Sequence, residues 1–432
     1  MSSSVMARPA RDARRARAAV AALFLTNGAV FFNVVPRYPQ IKADLGLSNA
    51  LLGTSLAAFP VGALLAGLLA GAAIRRWGSA RVASAGIVLT AVATLGIPFA
   101  PHWLVLAAVL FVVGALDSIV DVAQNAHGLR VQRLYGRSIV NSLHGVWSVG
   151  AVLGGLMGSA AAGLDLPLAV HLAISATLFS VVALVSYRFL LPGGEDAERA
   201  ADPLPCGEDA ERAADPLPGG EDAGRAADPE PAPAPAAGTA VAAGWRSFRG
   251  PAVRMLVVLG ILAACGALVE DAGASWGALY LTDLHATAAT AGLAVVALQV
   301  AMTLGRLSGD RVVDRFGQRT VVRAGGVVAA IGMGAALAFP SVPAALAGFA
   351  LAGLGVATLV PAAMHTADEL PGLPRGTGLT IVSWLLRGGS LLSPPIVGLL
   401  ADRTSLRVGL LTVVAAGLIT AVLARVLANH NR

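Results

Sequence analysis

The chain has 432 residues, of which 56% are hydrophobic and 13% are charged, and its formal net charge is +6. A soluble protein of this length usually carries about twice that charged share, so the composition excludes an ordinary soluble domain. The basic residues lie at the ends of apolar segments rather than in one patch, which argues against a nucleic-acid-binding surface.

Long apolar segments follow one another along the chain and are interrupted once near the middle. Each has about the 20 residues that a helix needs to cross roughly 30 Å of hydrocarbon. Because backbone groups cannot remain unpaired in lipid, segments of this length must be helical. We predict an all-α membrane protein with twelve transmembrane helices in two pseudo-symmetric six-helix bundles.

The predicted spans are numbered in chain order. In the first half they cover Ala18–Pro36, Leu51–Ile74, Val82–Ala100, Trp103–Asn125, Ile139–Ala162 and Leu168–Leu191. In the second half they cover Met255–Trp276, Thr290–Gly309, Thr320–Pro340, Val342–His365, Gly378–Ala401 and Leu406–Leu427. The first span lacks a small-residue cleavage site, so we expect it to be retained rather than removed as a signal peptide.

Arginines indicate the orientation of the spans. One predicted side carries Arg8, Arg11, Arg14, Arg15, Arg17, Arg75, Arg76, Arg81, Arg130, Arg133, Arg137, Arg311, Arg315, Arg319 and Arg323. The opposite side carries only Arg37, Lys42, Arg403 and Arg407. By the positive-inside rule, both termini are expected to be cytoplasmic in a multi-pass inner-membrane protein.

The predicted divisions of the chain are a basic cytoplasmic arm at 1–17, a six-helix bundle at 18–191, a cytoplasmic linker at 192–250, a second bundle at 251–428 and a cytoplasmic tail at 429–432. The linker contains a tandem repeat: GGEDAERAADPLP starts at Gly193, CGEDAERAADPLP at Cys206 and GGEDAGRAADPEP at Gly219. Frequent proline, balanced charge and low hydrophobicity cannot bury a core, so we predict a disordered tether. A regulatory or partner-binding role is the alternative.

The turns after the second and eighth spans repeat each other. After the eighth span the chain reads GDRVVDRFGQR, with Asp314, Arg315, Gly317 and Arg319. After the second span it reads GAAIRRWGSAR, with Gly71, Arg76, Gly78 and Arg81. These turns resemble the Gly-x-x-x-Asp-Arg-x-Gly-x-Arg signature that the major facilitator superfamily of secondary transporters carries at the same two places.

The resemblance covers the whole chain apart from the arm and the linker, and it implies two halves with an internal repeat. In that family the signature Asp helps to lock the cytoplasmic gate by pairing with a basic residue. Arg75 stands at this position in the first half, which therefore would need other contacts. The run DVAQNAHG in the fourth span and the Glu in the seventh span resemble sugar-permease-like bacterial inner-membrane members.

The resemblance also implies that spans 1, 4, 7 and 10 line a central cavity. A charge at the bilayer centre costs at least about 2.5–3.5 kcal/mol, so each ionisable residue there is a candidate for function. In the fourth span, Asp117, Asp121 and Asn125 are spaced by four and share one face. Two carboxylates so close in a low-dielectric cavity cannot both ionise easily, which suits a proton carrier. Alternatively, each pairs with an arginine or caps a neighbouring helix.

In the seventh span, Glu270 and Asp271 point in different directions, and Glu270 shares its face with glycines. The glycines of that face are Gly266, Gly273 and Gly277, which make room for a ligand or for a close helix. We expect Glu270 to be a coupling or binding carboxylate and Asp271 to be a helix-end or gate residue.

Arg387 lies about nine residues inside the eleventh span and cannot shed its proton, so it needs a permanent partner. That partner is either Asp117 or Glu270, or else an anionic group of the substrate. Asn27 and Gln299 lie at a similar depth and could hydrogen-bond a polar substrate or bridge helices.

Three tryptophans in the spans could stack on a substrate ring: Trp147, Trp276 and Trp384. Trp276 also suits a membrane-interface anchor. Three histidines lie near cytoplasmic ends and are usually satisfied hydrogen-bonding groups rather than proton relays: His127, His144 and His365.

Other chemistry is not indicated. The chain has neither a G-x-S-x-G elbow nor a P-loop, so we expect no enzyme and no ATP-driven transport. Cys206 and Cys265 imply no metal cluster or disulfide framework, and no cofactor is expected. Gly150, Gly154 and Gly158 form a small-residue seam in the fifth span. That span lacks the proline of the drug-antiporter branch, which counts against multidrug export.

We therefore predict a proton-coupled secondary transporter, expected to be monomeric, that moves a small polar organic solute such as a sugar. The alternatives within transport are an uncoupled or exchanging carrier and a drug or metabolite exporter. A membrane sensor with a transporter fold, using the linker as its output arm, is the alternative from another class.

Overall fold

The computed structural model describes residues 11–135, 139–192, 251–370 and 377–427. In these ranges the chain is helical and contains no strand, and twelve helices are long and apolar enough to cross a membrane. The predicted fold class and number of spans are confirmed. The linker repeats and the tail at 429–432 lie outside the described residues.

The transmembrane helices are numbered α1 to α12 in chain order. In the first half they are α1 (Arg11–Val34, continuing as Tyr38–Asp44), α2 (Asn49–Trp77), α3 (Ser79–Thr94), α4 (Trp103–Tyr135), α5 (Val140–Gly163) and α6 (Leu168–Tyr187). In the second half they are α7 (Pro251–Asp283), α8 (Ala288–Phe316), α9 (Gln318–Ala338), α10 (Val342–Val356 and Leu359–Asp368), α11 (Thr377–Arg403) and α12 (Leu406–Gly409 and Leu411–Leu423).

Several helices extend beyond the predicted spans. The predicted arm is already helical from Arg11, and Arg17 holds this extension by donating to the Tyr135 hydroxyl at 3.0 Å. Helix α7 continues to Asp283, so Glu270 and Asp271 do not interrupt it. A hydropathy pattern marks the apolar core of a helix but not the polar turns that continue it, so the ends were misplaced.

Helices α1–α6 pack into one bundle and α7–α12 into a second. The bundles meet where α2 lies against α11 and where α5 lies against α8. Because twelve spans return the chain to its starting side, both described ends lie on one side. We call it the terminal side and the opposite one the distal side.

The two bundles repeat each other in backbone detail. Gly78 and Gly317, which end α2 and α8, both have φ +81°, a value that side chains disfavour and glycine permits. At the other ends of the same helices, Ser48 and Thr287 both act as N-caps, because each side chain accepts a hydrogen bond from the backbone amide three residues later. The predicted internal repeat is therefore confirmed.

Glycines set the closest helix contacts. A Cβ added at Gly150, Gly154 or Gly158 would overlap a backbone oxygen of α1, which confirms the predicted seam. The glycines of α7 likewise accommodate a close helix rather than a ligand, because Gly273 faces Leu298 and Gly277 faces Ala294 of α8.

Trp276 and Arg37 are buried where the sequence suggested exposed positions. Trp276 is fully buried beside Gly398 of α11, so its interpretation as an interface anchor is wrong. Arg37 is only 2% exposed, because α1 continues through a 3-10 turn instead of ending at Pro36.

Candidate functional site

Two of the cavities between the bundles meet at α4. The central cavity has a volume of about 390 Å³ and is lined by side chains from both halves, among them Tyr38, Asp117, Asp121, Asp271 and Arg387. The terminal-side cavity has a volume of about 630 Å³, and its lining includes Asn27, Asp117, Asp121, Trp147 and Arg306. Asp117 and Asp121 line both, so one pair of carboxylates is shared by these two cavities.

Asp117 is held by a short chain of hydrogen bonds. Asn27 Nδ2 donates to Asp117 Oδ1 at 2.9 Å, and Trp147 Nε1 donates to Asn27 Oδ1 at 2.9 Å. These hydrogen bonds join α4, α1 and α5. Because Asn27 Oδ1 accepts from the indole N–H, the amide NH2 group is the one that points at the Asp117 carboxylate. Three residues predicted from different spans are thus brought together.

Asp121 lies one turn nearer the terminal side and is more exposed. Its Oδ1 accepts from Asn125 Nδ2 at 3.0 Å and from Gln124 Nε2 at 3.4 Å. Asn125 therefore bonds within its own helix rather than to a neighbouring one. The Gln124 side chain is fully buried, and its Oε1 has no partner within the described residues.

The adjacent acids of α7 have surroundings that differ from those we predicted for them. Asp271 lines the central cavity, and its expected helix-end position is wrong because α7 continues for three more turns. Glu270 instead faces α8, where it accepts from Gln299 Nε2 at 3.2 Å and from Arg306 Nη2 at 3.4 Å. Residues 100° apart on a helix must face different neighbours, but only the packing shows which one faces the cavity.

Arg387 lines the central cavity from α11. Within the described part of the chain it forms no ion pair with Asp117 or with Glu270, the two protein partners that we predicted. Glu270 is taken by Arg306, and Asn27 donates to Asp117. Arg387 therefore presents a guanidinium to the cavity opposite the two carboxylates of α4.

The remaining predicted residues differ in their relation to the cavities. Trp384 is 51% exposed and is not among the side chains that line either cavity. His127 is buried, with Ser79 Oγ at 2.8 Å from Nδ1 and the Leu191 amide donating to Nε2. His365 is exposed beside Glu369, whereas His144 lines the terminal-side cavity.

Sequence reasoning missed an aromatic wall of the central cavity. Phe31 and Tyr38 of α1 and Phe59 of α2 line it, and the rings of Phe31 and Phe59 lie 4.7 Å apart. The seven-residue spacing from Phe31 to Tyr38 places both on one helix face and could have revealed them. The predicted end of α1 at Pro36 hid this pattern.

A buried polar network at the distal end of the first bundle was also missed. His171 Nε2 lies 2.9 Å from Asn33 Oδ1, and Asn33 Nδ2 donates to Ser175 Oγ at 2.9 Å. Arg37 donates to the Leu166 carbonyl at 2.6 Å and lies beside His171. The network joins α1 to α6 and is separate from the central and terminal-side cavities.

Comparison with known proteins identifies the family. A family model described as Major Facilitator Superfamily matches residues 20–274 and 271–431. The chain belongs to the Major Facilitator Superfamily.

Relatives and solved structures agree with this membership. Membrane protein MosC of Rhizobium meliloti is 30% identical over 404 residues, which cover 93% of this chain and 88% of MosC. The uncharacterized transporter y4wD of Sinorhizobium fredii is 29% identical over 411 residues, which cover 94% of this chain and 97% of that protein.

Among solved structures, the nucleoside transporter NupG matches with a TM-score of 0.69 at 14% identity and covers 96% of this chain and 98% of its own. The D-xylose-proton symporter matches with a TM-score of 0.64 at 14% identity, with 96% of each chain covered. Likeness at this identity concerns the fold alone.

The superfamily signature occupies equivalent surroundings in the two bundles. Arg76 lies over the Trp77 ring at 5.9 Å, and Arg315 lies over the Phe316 ring at 5.5 Å. The last arginines of the two copies each reach the end of their own bundle: Arg81 donates to the Tyr187 hydroxyl at 3.3 Å and Arg319 to the Leu427 carbonyl at 2.8 Å. These two arginines thus fasten the third helix of each bundle, α3 or α9, to the end of the sixth helix at the terminal side.

Proposed function

We propose that the chain is a secondary active carrier that moves a small polar organic solute by alternating access and uses protons to drive it. The observation that carries this proposal is the position of Asp117, which lines both cavities between the bundles and is held by Asn27 and Trp147. Membership of a superfamily of carriers supports the transport class, and the site supports the coupling.

The coupling argument rests on charge. Asp117 and Asp121 lie one turn apart and face the same space, so ionising both places two negative charges in a poorly solvated cavity. Taking up one proton removes that repulsion and leaves a carboxylic acid that can donate to the solute. Proton binding and solute binding thereby become linked at one site.

The solute is proposed to lie in the central cavity. Its wall combines aromatic rings with hydroxyls and charged groups, a composition suited to a polar molecule that has an apolar or ring-shaped body. Arg387 would receive an anionic or strongly hydrogen-bonding group of the solute. We assign a binding role to Arg387 in the central cavity, and to Asn27 and Trp147 the role of orienting Asp117 toward the solute from the terminal-side cavity.

The arginine distribution supports placing the terminal side in the cytoplasm of a cell with an inner membrane. The larger cavity would then open to the cytoplasm, and the described conformer would be the inward-facing one. A working monomer is proposed because both cavities lie within one chain.

The experiment that tests the proposal is a thermal-shift screen of the purified protein against sugars, polyols, amino acids, nucleosides and cationic drugs at pH 5.5 and 7.5. A solute that stabilises the wild type by an amount that depends on pH, and that proteoliposomes accumulate in response to a pH gradient, supports a proton-coupled carrier. A stabilising solute whose binding and accumulation ignore pH contradicts the coupling and supports an uncoupled or exchanging carrier.

Glu270→Gln is expected to retain pH-driven accumulation and to lower thermal stability only slightly. Glu270 of α7 and Arg306 of α8 form a partly exposed ion pair, and such pairs contribute about 0–1 kcal/mol. Initial rates in proteoliposomes with an imposed pH gradient measure the outcome. Complete loss of gradient-driven transport in a folded Glu270→Gln protein would move the coupling role from α4 to α7.

Trp147→Phe is expected to raise the solute KM about two- to tenfold, because it removes one hydrogen bond that orients Asn27 and leaves the ring in place. Trp384→Phe is the matched control and should change KM less than twofold. Equal effects of the two substitutions would contradict a role in solute binding for the hydrogen-bonded chain from Trp147 through Asn27 to Asp117.

A further inference from the structure

Asp402, the penultimate residue of α11 in the second bundle, caps a helix of the first bundle. Its Oδ1 accepts from the Asn49 amide and its Oδ2 from the Ala50 amide, both at 2.8 Å. These amides belong to the first turn of α2 and have no acceptor within their own helix. One carboxylate thus satisfies two free donors across the boundary between the bundles, and we call this contact the Asp402 cap.

The helices joined by the Asp402 cap are in backbone contact beside it. A Cβ added at Gly398, one turn before Asp402, would overlap the Asn49 carbonyl oxygen. A Cβ added at Gly53 would likewise overlap the Pro394 carbonyl oxygen. The two glycines let α2 and α11 approach until the carboxylate reaches the amides, so the cap exists only while the distal ends of the bundles are together.

The second distal contact between the bundles has no such cap. There the end of α5 meets the start of α8, and a Cβ added at Gly163 would lie 2.6 Å from Ala289 Cβ. Asp165, two residues beyond the end of α5, is exposed and makes no hydrogen bond to α8 within the described residues. The Asp402 cap is therefore a specific feature of one contact rather than a general consequence of packing two bundles.

We propose that Asp402 is a gate residue of the distal side, whose cap on α2 favours the conformer in which the distal ends are closed. A carboxylate at a helix N-terminus is stabilised by the helix dipole and by charge-assisted hydrogen bonds. Separating the bundles breaks both bonds at once, whereas rocking at the terminal side leaves them intact. The inference extends the proposed alternating access to a gate, and it depends on neither the solute nor the proton coupling.

The test measures the distal distance in the full-length protein without any solute. Natural Cys206 and Cys265 are replaced by alanine, and spin labels are attached through Phe99→Cys and Phe339→Cys. Both positions are highly exposed at the distal ends of their bundles, at 74% and 76%, so the labels should not disturb the contact. Double electron–electron resonance in nanodiscs then reports the ratio of distal-open to distal-closed molecules.

Asp402→Ala should raise that ratio about fivefold, the change expected for losing a helix cap. Asp402→Asn keeps one accepting oxygen and should give an intermediate ratio. Asp165→Asn is the control, because it also removes one negative charge from the distal side. Asparagine tolerates the positive φ of that residue, so the substitution should leave the distance distribution unchanged.

Distance distributions of Asp402→Ala and Asp402→Asn that match the wild type would overturn the proposal. An equal shift from Asp165→Asn would also overturn it, because the effect would then come from distal charge rather than from the cap. If Asp402→Ala does not yield monodisperse protein, Asp402→Asn decides between these outcomes, since it preserves the side-chain volume.

Discussion

Asp117→Asn is expected to abolish accumulation driven by a pH gradient while leaving counterflow exchange of the solute measurable. Asparagine keeps the size of the side chain and an oxygen that can accept from Asn27 Nδ2, so the hydrogen-bonded chain to Trp147 can persist. What it loses is the ability to bind and release a proton. Net transport, which requires the carrier to gain and lose a proton in each cycle, should therefore fail, whereas exchange requires neither step.

The measurement compares two assays on the same proteoliposomes. The rate of solute uptake driven by an imposed pH gradient should fall at least about tenfold. The rate of exchange between internal and external solute at equal pH should stay within about threefold of the wild type. Asp121→Asn should give a smaller loss, because Asp121 is more exposed and can be hydrated when it ionises. Intact gradient-driven uptake in Asp117→Asn would refute the proposed coupling site.

Gly150→Ala is expected to lower the apparent melting temperature strongly and to reduce the yield of folded protein. The added Cβ would overlap the Leu25 carbonyl oxygen of α1, and a backbone atom cannot rotate away as a side chain can. The helices must separate, which costs about 1–3 kcal/mol and disturbs the neighbouring contacts of Gly154 and Gly158. The effect should appear in detergent, where no bilayer supports the bundle.

Gly145→Ala is the matched control on the same helix. A Cβ at Gly145 meets nothing within 4 Å, so the substitution should be neutral or should stabilise by up to about 1 kcal/mol through helix propensity. Melting followed by a thiol-independent dye compares the two variants. Equal melting temperatures would contradict the close approach of α1 and α5.

The architecture could be predicted from sequence because the bilayer constrains it so strongly. A run of about 20 apolar residues must be a helix in lipid, whatever it packs against, so counting runs yields the number of spans. The correspondence between Gly78 and Gly317 could be recognised in the sequence because each ends a helix with φ +81°, a local backbone conformation that requires glycine. The true ends of the helices were not predicted. Turns such as Val35–Arg37 continue α1, but a hydropathy pattern does not detect them.

The candidate site was predicted only in part. Asp117, Asp121 and Arg387 were found because an ionisable residue inside an apolar run stands out, and all three line the cavity. The surroundings of Glu270 and Asp271 were not foreseeable. Their 100° separation is known from the helix, but which of them faces the cavity depends on where α8 packs.

The number of spans, the two-half repeat and the set of charged residues that need a partner in lipid all follow from the order of amino acids along the chain. The identity of those partners depends on how the helices pack, because contacts between helices far apart in the chain require a particular rotation and a close approach of both. Helix packing joins Asn27 to Asp117 and Trp147, and Asp402 to the first turn of α2. These contacts have no local sequence pattern, since each one depends on the geometry of two helices at once.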